Sequence, residues 1–335
     1  MSFFYGESLR AHPLKVAMKM LAARLAFVVP LPLVLPDKRF LLNHYGAKMY
    51  MSLTNSPILL DCAFGVYEYW TTRLVSEVVK EGMTIADVGA HEGYYSIMLA
   101  KLMHDKGRVL AFEPDPDNSA WLKRNIEANG YRCIEVHQYA LADTEGEATF
   151  YPGGGVGSLV FRSHVCAAFN PPSNPFTVQT RMLDDVLREA NVRNLDLVKV
   201  DVEGADLLVL KGAEQTLRTM NGSIIMDVDV GSHAERKELY ELLVSCGFNL
   251  YSIGRRLQPI KTADEVSLFL GKEAGRQSSA RTLRLGRLAA AKTRIKDMLP
   301  RMQRYLGPLS YIPYAPVSWV RAPTGVRQIY ATKQH

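Results

Sequence analysis

The sequence predicts an α/β fold built on a mostly parallel sheet with helices on both faces. Three observations carry this. Short apolar runs alternate with helix-period segments from residue 84 to residue 246. Two successive runs end in an acid, Asp87 and Glu113, each followed by a turn and a helical pattern. The alternation then closes with two neighbouring runs, 248–254 and 266–271, which read as an antiparallel edge hairpin. Repeated strand–helix units form a parallel sheet because each crossover helix must pack back on the sheet face.

The elements follow in order. Residues 14–28 read as a helix stopped by Pro30 and Pro32. Residues 37–60 read as short strands and turns, for example 48–53. Residues 67–81 form an amphipathic helix, with Trp70, Leu74, Val75, Val78 and Val79 on one stripe and Gly82 at its end. Strand 84–89 leads to helix 93–104, and strand 108–113 to helix 116–129, which Gly130 closes. Strand 133–139 precedes a turn at 143–146 and a short strand at 147–151. Strand 195–202 leads to helix 205–220, and strand 223–230 to helix 234–246. Residues 152–180, rich in glycine and proline, break the alternation. A long irregular loop inside a compact domain is commonly functional or mobile, and this one, following the third strand pair at the carboxyl edge of the sheet, is a candidate lid.

These elements divide the chain into an N-terminal extension (1–64), a central α/β domain (65–272) and a basic C-terminal tail (273–335). The 335 residues, 47% of them hydrophobic, suffice for a sizeable core. The four cysteines lack C-x-x-C spacing, which argues for buried thiols in a reducing, cytoplasmic setting and against a disulfide framework or zinc site. The net charge of +6 is concentrated: residues 274–304 hold nine basic residues and one acid. No stretch reaches the roughly 18–20 apolar residues of a membrane span. The nearest approach, 14–35, carries Lys15, Lys19 and Arg24 and is broken by prolines. Three readings of it compete: a helix packed on the main domain, a membrane-touching helix, and a signal peptide without a cleavage site.

The stretch Thr84 to Ser96 carries the most chemistry. In open α/β sheets ligands lie outside the carboxyl ends of the strands. Glycines admit a cofactor to the backbone, and an ionised carboxylate at Glu113 is a pure acceptor for two ribose hydroxyls. A dinucleotide requires the form GxGxxG to bring N–H groups onto its pyrophosphate. Here only Gly89 and Gly93 stand in the turn, with His91 and Glu92 between them, and the Glu92 carboxylate would repel a pyrophosphate. S-adenosyl-L-methionine, which lacks phosphate and carries a cationic sulfonium, suits an acidic turn. Asp87 is expected to accept from the methionine amino group, in competition with a helix N-cap role.

On the next strand, Lys199 and Asp201 alternate with Val198, Val200 and Val202 and so share a face. Asp201 and Glu203 are candidate groups for accepting or positioning an acceptor proton, with Lys199 neutralising Asp201. A structural ion pair is the competing reading. His164 and His233 are secondary candidate bases, and Asp227, Asp229 and His233 a secondary divalent-cation set.

The ordered motifs resemble the FkbM family of S-adenosylmethionine-dependent methyltransferases over about 65–271. They are Gly65-Val66-Tyr67-Glu68, Asp87-Val88-Gly89-Ala90 with Gly93-Tyr94-Tyr95-Ser96, Ala111 to Pro116, Ala140-Leu141-Ala142-Asp143, Leu183-Asp184-Asp185 and Val198 to Asp206. The resemblance implies a class I methyltransferase sheet, Rossmann-like, of seven strands with an antiparallel terminal hairpin. It implies that Asp87, Gly89, Ala90, His91, Gly93, Glu113 and Pro114 face the cofactor, that Ala140 and Leu141 line the adenine, and that Glu68 lies over the site. Two departures stand out: His91-Glu92 replace the usual asparagine and apolar residue, and Asp227 and Asp229 stand where the family commonly ends its fifth strand in glutamate. The function implied is O-methylation of a hydroxyl, on a sugar of a glycolipid or polysaccharide precursor or on a secondary metabolite. A non-catalytic adaptor and a nucleic-acid methyltransferase are the alternatives. The second lacks the Asn/Asp-Pro-Pro-aromatic motif, since the corresponding position reads Asp201-Val202-Glu203-Gly204. The basic tail has helical spacing from 279 to 299. It reads as a docked terminal helix, as a peripheral contact with anionic membrane through 279–304, or, less well, as a nucleic-acid contact.

Overall fold

The computed structural model describes residues 39–52, 62, 65, 67–153, 156–159, 174–228, 232–254, 256–266 and 328–333. The helix expected at 14–28, the tail helix, His164 and Asp229 lie outside these residues.

The chain enters as a hairpin, β1 (Arg39–His44) and β2 (Ala47–Ser52), turned by Tyr45 and Gly46 with φ of 49° and 85°. Two positive φ values suit the right-handed twist of a tight hairpin. Helix α1 (Tyr69–Val78) follows, then β3 (Thr84–Val88), α2 (Tyr94–Leu102), β4 (Arg108–Phe112), α3 (Pro116–Asn129) and β5 (Ile134–His137). A small sheet comes next, formed by β6 (Ala140–Leu141), β7 (Gly146–Gly153), β8 (Val156–Ser158) and β9 (Phe176–Arg181) in the order β6-β9-β7-β8. The main alternation resumes with α4 (Leu183–Glu189), β10 (Leu197–Val200), α5 (Asp206–Lys211), α6 (Glu214–Thr219), β11 (Ser223–Asp227) and α7 (His233–Ser245). The strands β12 (Asn249–Ser252), β13 (Gln258–Ile260) and β14 (Gln328–Thr332) complete it.

The main sheet has eight strands in the order β13-β12-β14-β11-β10-β3-β4-β5. The run β11-β10-β3-β4-β5 is parallel, and β14 lies antiparallel between β11 and β12. The expected mostly parallel sheet is therefore present. Successive strand residues feed opposite faces: Ala86, Leu110, Val198 and Ile224 join one core, and Ile85, Val109, Leu197 and Ile225 the other.

The structure revises several boundaries. The edge hairpin pairs β12 with β13, while residues 263–266 are helical rather than the start of a strand. The remainder of 266–271 lies outside the described residues. The strand beside β11 comes instead from the end of the basic tail, so the sheet reaches beyond residue 272. The helix expected at 205–220 is split into α5 and α6 around Gly212, where a Cβ would stand 1.9 Å from the Ala142 carbonyl oxygen. The irregular segment 152–180 contains β8 and most of β9. The expected stripe of α1 packs on the core, with Leu74, Val75 and Val79 buried and Trp70 and Val78 partly buried against it, while Tyr69, Thr71 and Thr72 widen the inward face.

Candidate functional site

The strand order reverses between β3 and β10, and such a switch point opens a crevice at the carboxyl ends of the strands. A cavity of about 240 Å³ lies there. Its floor is made from the tips of β3, β4 and β10, and Asp87, Glu113 and Asp201 all line it.

The turn after β3 is fixed by the backbone. The amides of Gly89 and Ala90 both donate to the Phe112 carbonyl, each at 3.0 Å. Gly89 has φ 81°, and a Cβ there would stand 1.9 Å from the Asp201 carbonyl oxygen. The position is thus reserved for glycine by the neighbouring strand itself, a stronger reason than the approach of a cofactor. Gly93, at φ 99°, starts α2, where a Cβ would meet Leu122 at 2.6 Å.

Asp87 is fully buried. Its Oδ2 accepts from the Ser96 hydroxyl at 2.5 Å, and its Oδ1 has no hydrogen-bond partner. The N-cap of α2 is Gly93, so Asp87 does not cap that helix. Burial raises the Asp87 carboxyl above its ordinary range, against the opposing pull of Lys199 and Ser96.

Glu113 is held from two sides. The His91 amide donates to Oε2 at 2.8 Å and the Asp115 amide to Oε1 at 2.9 Å. Asp115 in turn caps α3, accepting from the Asp117 and Asn118 amides, with Pro116 preset at the first helical position. The Pro114-Asp115-Pro116 segment thereby aims the carboxylate. Burial raises the Glu113 carboxyl despite the His91 ring and the two N–H donors. A third, longer contact comes from Asn118 Nδ2 to Oε1 at 3.5 Å. Of the roughly four acceptor positions of a carboxylate, one on Oε2 is left open, and a second hydroxyl would have to displace the long Asn118 bond on Oε1.

The cationic member is Lys199, buried, with Nζ 2.8 Å from Asp201 Oδ2 and 4.6 Å above the Tyr95 ring. Burial would lower the ammonium, but Asp201, Asp87 and Glu68 outweigh it and hold the group above its ordinary value.

Of the residues expected at the site, Asp87, Gly89, Ala90, His91, Glu113, Pro114, Ala140, Leu141, Lys199, Asp201 and Glu203 line the cavity. Gly93 and Glu68 do not. Gly93 acts through helix geometry. Glu68, at φ 40°, accepts from the Tyr95 hydroxyl at 2.6 Å and stands behind that ring. Glu92 is buried and is not part of the cavity wall, so its charge does not face the ligand space as the sequence argument supposed. His233 Nε2 lies 3.6 Å from Asp264, and among the described residues no three acids, histidines or cysteines gather as a metal site.

Sequence reasoning missed the aromatic and thioether wall: Met49, Met51, Tyr67, Phe112, Tyr139 and Phe150. Tyr94 and Tyr95 also line the cavity; like Tyr67 and Phe112 they stood in the quoted motifs, but their places in the sequence did not show that they border the ligand space.

Two buried atoms in the wall test the fit of a cofactor. Asp87 Oδ1 and His91 Nε2 lack protein partners. Buried polar groups are nearly always paired, so a ligand with a donor for the carboxylate, a polar group for the imidazole and two hydroxyls for Glu113 fits. S-adenosylmethionine has these groups: an α-amino group, a carboxylate and a ribose.

Residues 87–250 match the family model of the methyltransferase FkbM domain, and this part of the chain belongs to that family. The 2-O-methyltransferase NoeI of Sinorhizobium fredii is 30% identical over 158 residues, covering 43% of this chain and 63% of that protein. The hexuronic acid methyltransferase AglP of Haloferax volcanii is 28% identical over 171 residues, covering 51% of this chain and 65% of its own length. The matched region thus spans less than two thirds of either relative. The crystal structure of methyltransferase FkbM from Methylobacillus flagellatus aligns with 59% of this chain and 50% of its own, at 18% identity and a TM-score of 0.40.

Proposed function

We propose that the protein is an S-adenosylmethionine-dependent O-methyltransferase whose acceptor is a hydroxyl, on a sugar of a glycolipid or polysaccharide precursor or on a secondary metabolite. The observation that carries the reading is the convergence of three strand-end acids, Asp87, Glu113 and Asp201, on one cavity at the switch point of the sheet.

S-adenosylmethionine supplies an electrophilic methyl group on a cationic sulfur. Asp87 Oδ1 would receive its amino group, Glu113 its ribose hydroxyls, and Ala140 and Leu141 one wall of the adenine. His91 Nε2 is placed to pair with the methionine carboxylate or to replace the family asparagine as a hydrogen-bond partner. On the acceptor side, Asp201 takes the proton that a neutral hydroxyl must lose. Lys199 fixes the Asp201 carboxylate through their 2.8 Å bond and keeps it from rotating away. A positioned base of this kind contributes about 10²–10⁴-fold. The apolar and aromatic wall excludes water and holds the acceptor in line, a larger effect of ~7–11 kcal/mol at best. The name of one relative, a 2-O-methyltransferase, supports transfer to oxygen, and that of the other, a hexuronic acid methyltransferase, supports a carbohydrate acceptor.

The test is transfer of labelled methyl from S-adenosylmethionine to a panel of neutral glycolipids, glycolipids carrying a uronic acid, and hydroxylated metabolites. Base-stable label that requires Asp201 supports an ether product. Label released by mild base, the mark of a methyl ester, would overturn the hydroxyl assignment.

A further inference from the structure

Helix α3 presents two asparagines one turn apart, Asn125 and Asn129, to the outer edge of β2. The Tyr50 amide donates to Asn125 Oδ1 at 2.7 Å, and Asn125 Nδ2 donates back to the Tyr50 carbonyl at 3.2 Å. Asn129 repeats this on Lys48, with both bonds at 2.7 Å. Lys48 and Tyr50 are alternate residues of β2, facing Asn43 and Leu41 of β1. Each side-chain amide therefore stands where the peptide group of a third strand would stand, and the helix satisfies a strand edge that would otherwise be open.

The two asparagines differ in where the remaining amide hydrogen goes: Asn129 Nδ2 also donates to the Asn125 carbonyl at 2.7 Å, within the helix. Asn125 is fully buried, and its Nδ2 also donates to the Glu92 carbonyl at 2.8 Å. Glu92 follows His91, whose amide holds Glu113, and precedes Gly93, which starts α2. Both amide hydrogens and the carbonyl oxygen of Asn125 are thus committed, one hydrogen to the cofactor turn and the rest to the hairpin. Met49 and Met51, on either side of Tyr50, line the cavity. The hairpin lies outside the matched domain, yet this side chain ties it to the turn that aims Glu113.

We propose that Asn125 is a positioning residue: it sets the His91–Gly93 turn, and through the His91 amide the Glu113 carboxylate, against the hairpin wall carrying Met49 and Met51. Asn129, which makes the same clip without touching the turn, is the internal control. The effect on cofactor affinity rests on the reading of the cavity as an adenosylmethionine site; the effect on the turn does not.

The experiment compares Asn125→Asp with Asn129→Asp by hydrogen exchange at the His91 and Gly93 amides and by calorimetric titration with S-adenosylhomocysteine. Asn125→Asp should speed exchange at both amides and weaken binding by about tenfold, the value of one hydrogen bond. Asn129→Asp should lower the melting temperature but leave exchange at the turn and the affinity within about twofold of wild type. Should Asn125→Asp fail to fold, Asn125→Ala removes the same donor without adding charge. Unchanged exchange at the turn in the Asn125 variants, or an equal acceleration in Asn129→Asp, would overturn the proposal. Wild-type protein that binds no S-adenosylhomocysteine would refute the cofactor reading alone, and the exchange arms would still decide the role of Asn125.

Discussion

Lys199 Nζ lies 2.8 Å from Asp201 Oδ2, beneath the crevice where β3 and β10 part. The lysine is the central cation among three acids, Asp201, Asp87 and Glu68, and each helps hold it charged. Removing one partner of a buried pair leaves an uncompensated charge, at a cost of about 3–5 kcal/mol. Lys199→Met should therefore lower both stability and turnover. Asp201→Asn leaves a neutral amide beside the lysine, so cofactor binding should persist while methyl transfer falls by about 10²-fold or more. Calorimetry with single-turnover transfer separates the two effects.

The buried acids predict an unusual pH dependence of the ligand-free protein. Asp87 and Glu113 have carboxyls raised by burial, so the folded state holds their protons more tightly than the unfolded chain. Their contribution to stability is complete below the ordinary carboxylate range, near ~4, and is lost as pH rises through the raised folded values. Glu113→Gln should therefore flatten the fall in melting temperature above that range while abolishing cofactor binding. A parallel pH profile in wild type and variant would contradict this.

His44 gives the opposite sign. Its ring is buried and donates from Nε2 to the Tyr94 carbonyl at 2.8 Å, joining the hairpin to α2. Burial lowers its pKa from 6.5 to about 4, so the unfolded chain binds the proton first. At about 1.4 kcal/mol per pH unit, roughly 3 kcal/mol of stability should be present above 6.5 and lost as pH falls toward 4. Hydrogen exchange in β2 should rise over that interval, and His44→Gln should remove the dependence.

Gly89→Ala tests the junction of β3 and β10. The added carbon would stand 1.9 Å from the Asp201 carbonyl oxygen, at a φ of 81° that alanine rarely adopts. The backbone strain alone is worth about 1–3 kcal/mol, and the collision adds to it. A variant with wild-type melting temperature would show that the strand ends are not packed this tightly.

Much of the site was legible because strand periodicity and strand-end chemistry are local. Asp87, Glu113 and the Lys199–Asp201 pair each follow from a few consecutive residues. What could not be read depends on contacts between distant segments. Tyr50 and Asn125 are 75 residues apart, and Ser223 and Tyr330, bonded across β11 and β14, are 107 apart. No local pattern in the tail marks 328–332 as the strand that completes the sheet. The break in helix 205–220 follows from the approach of Ala142 to Gly212, again a tertiary cause. The position of Glu92 misled for the same reason: its spacing between two glycines suggested exposure to the ligand, while the folded chain buries it away from the cavity wall.

Whether Asp87 and Glu113 hold a nucleoside cofactor is decided by calorimetric titration of wild type and Glu113→Ala with S-adenosylmethionine, S-adenosylhomocysteine and NAD. Wild type should bind the first two and not the third, and Glu113→Ala should keep its fold and lose both. Binding of NAD, or unchanged affinity in the variant, would contradict this assignment.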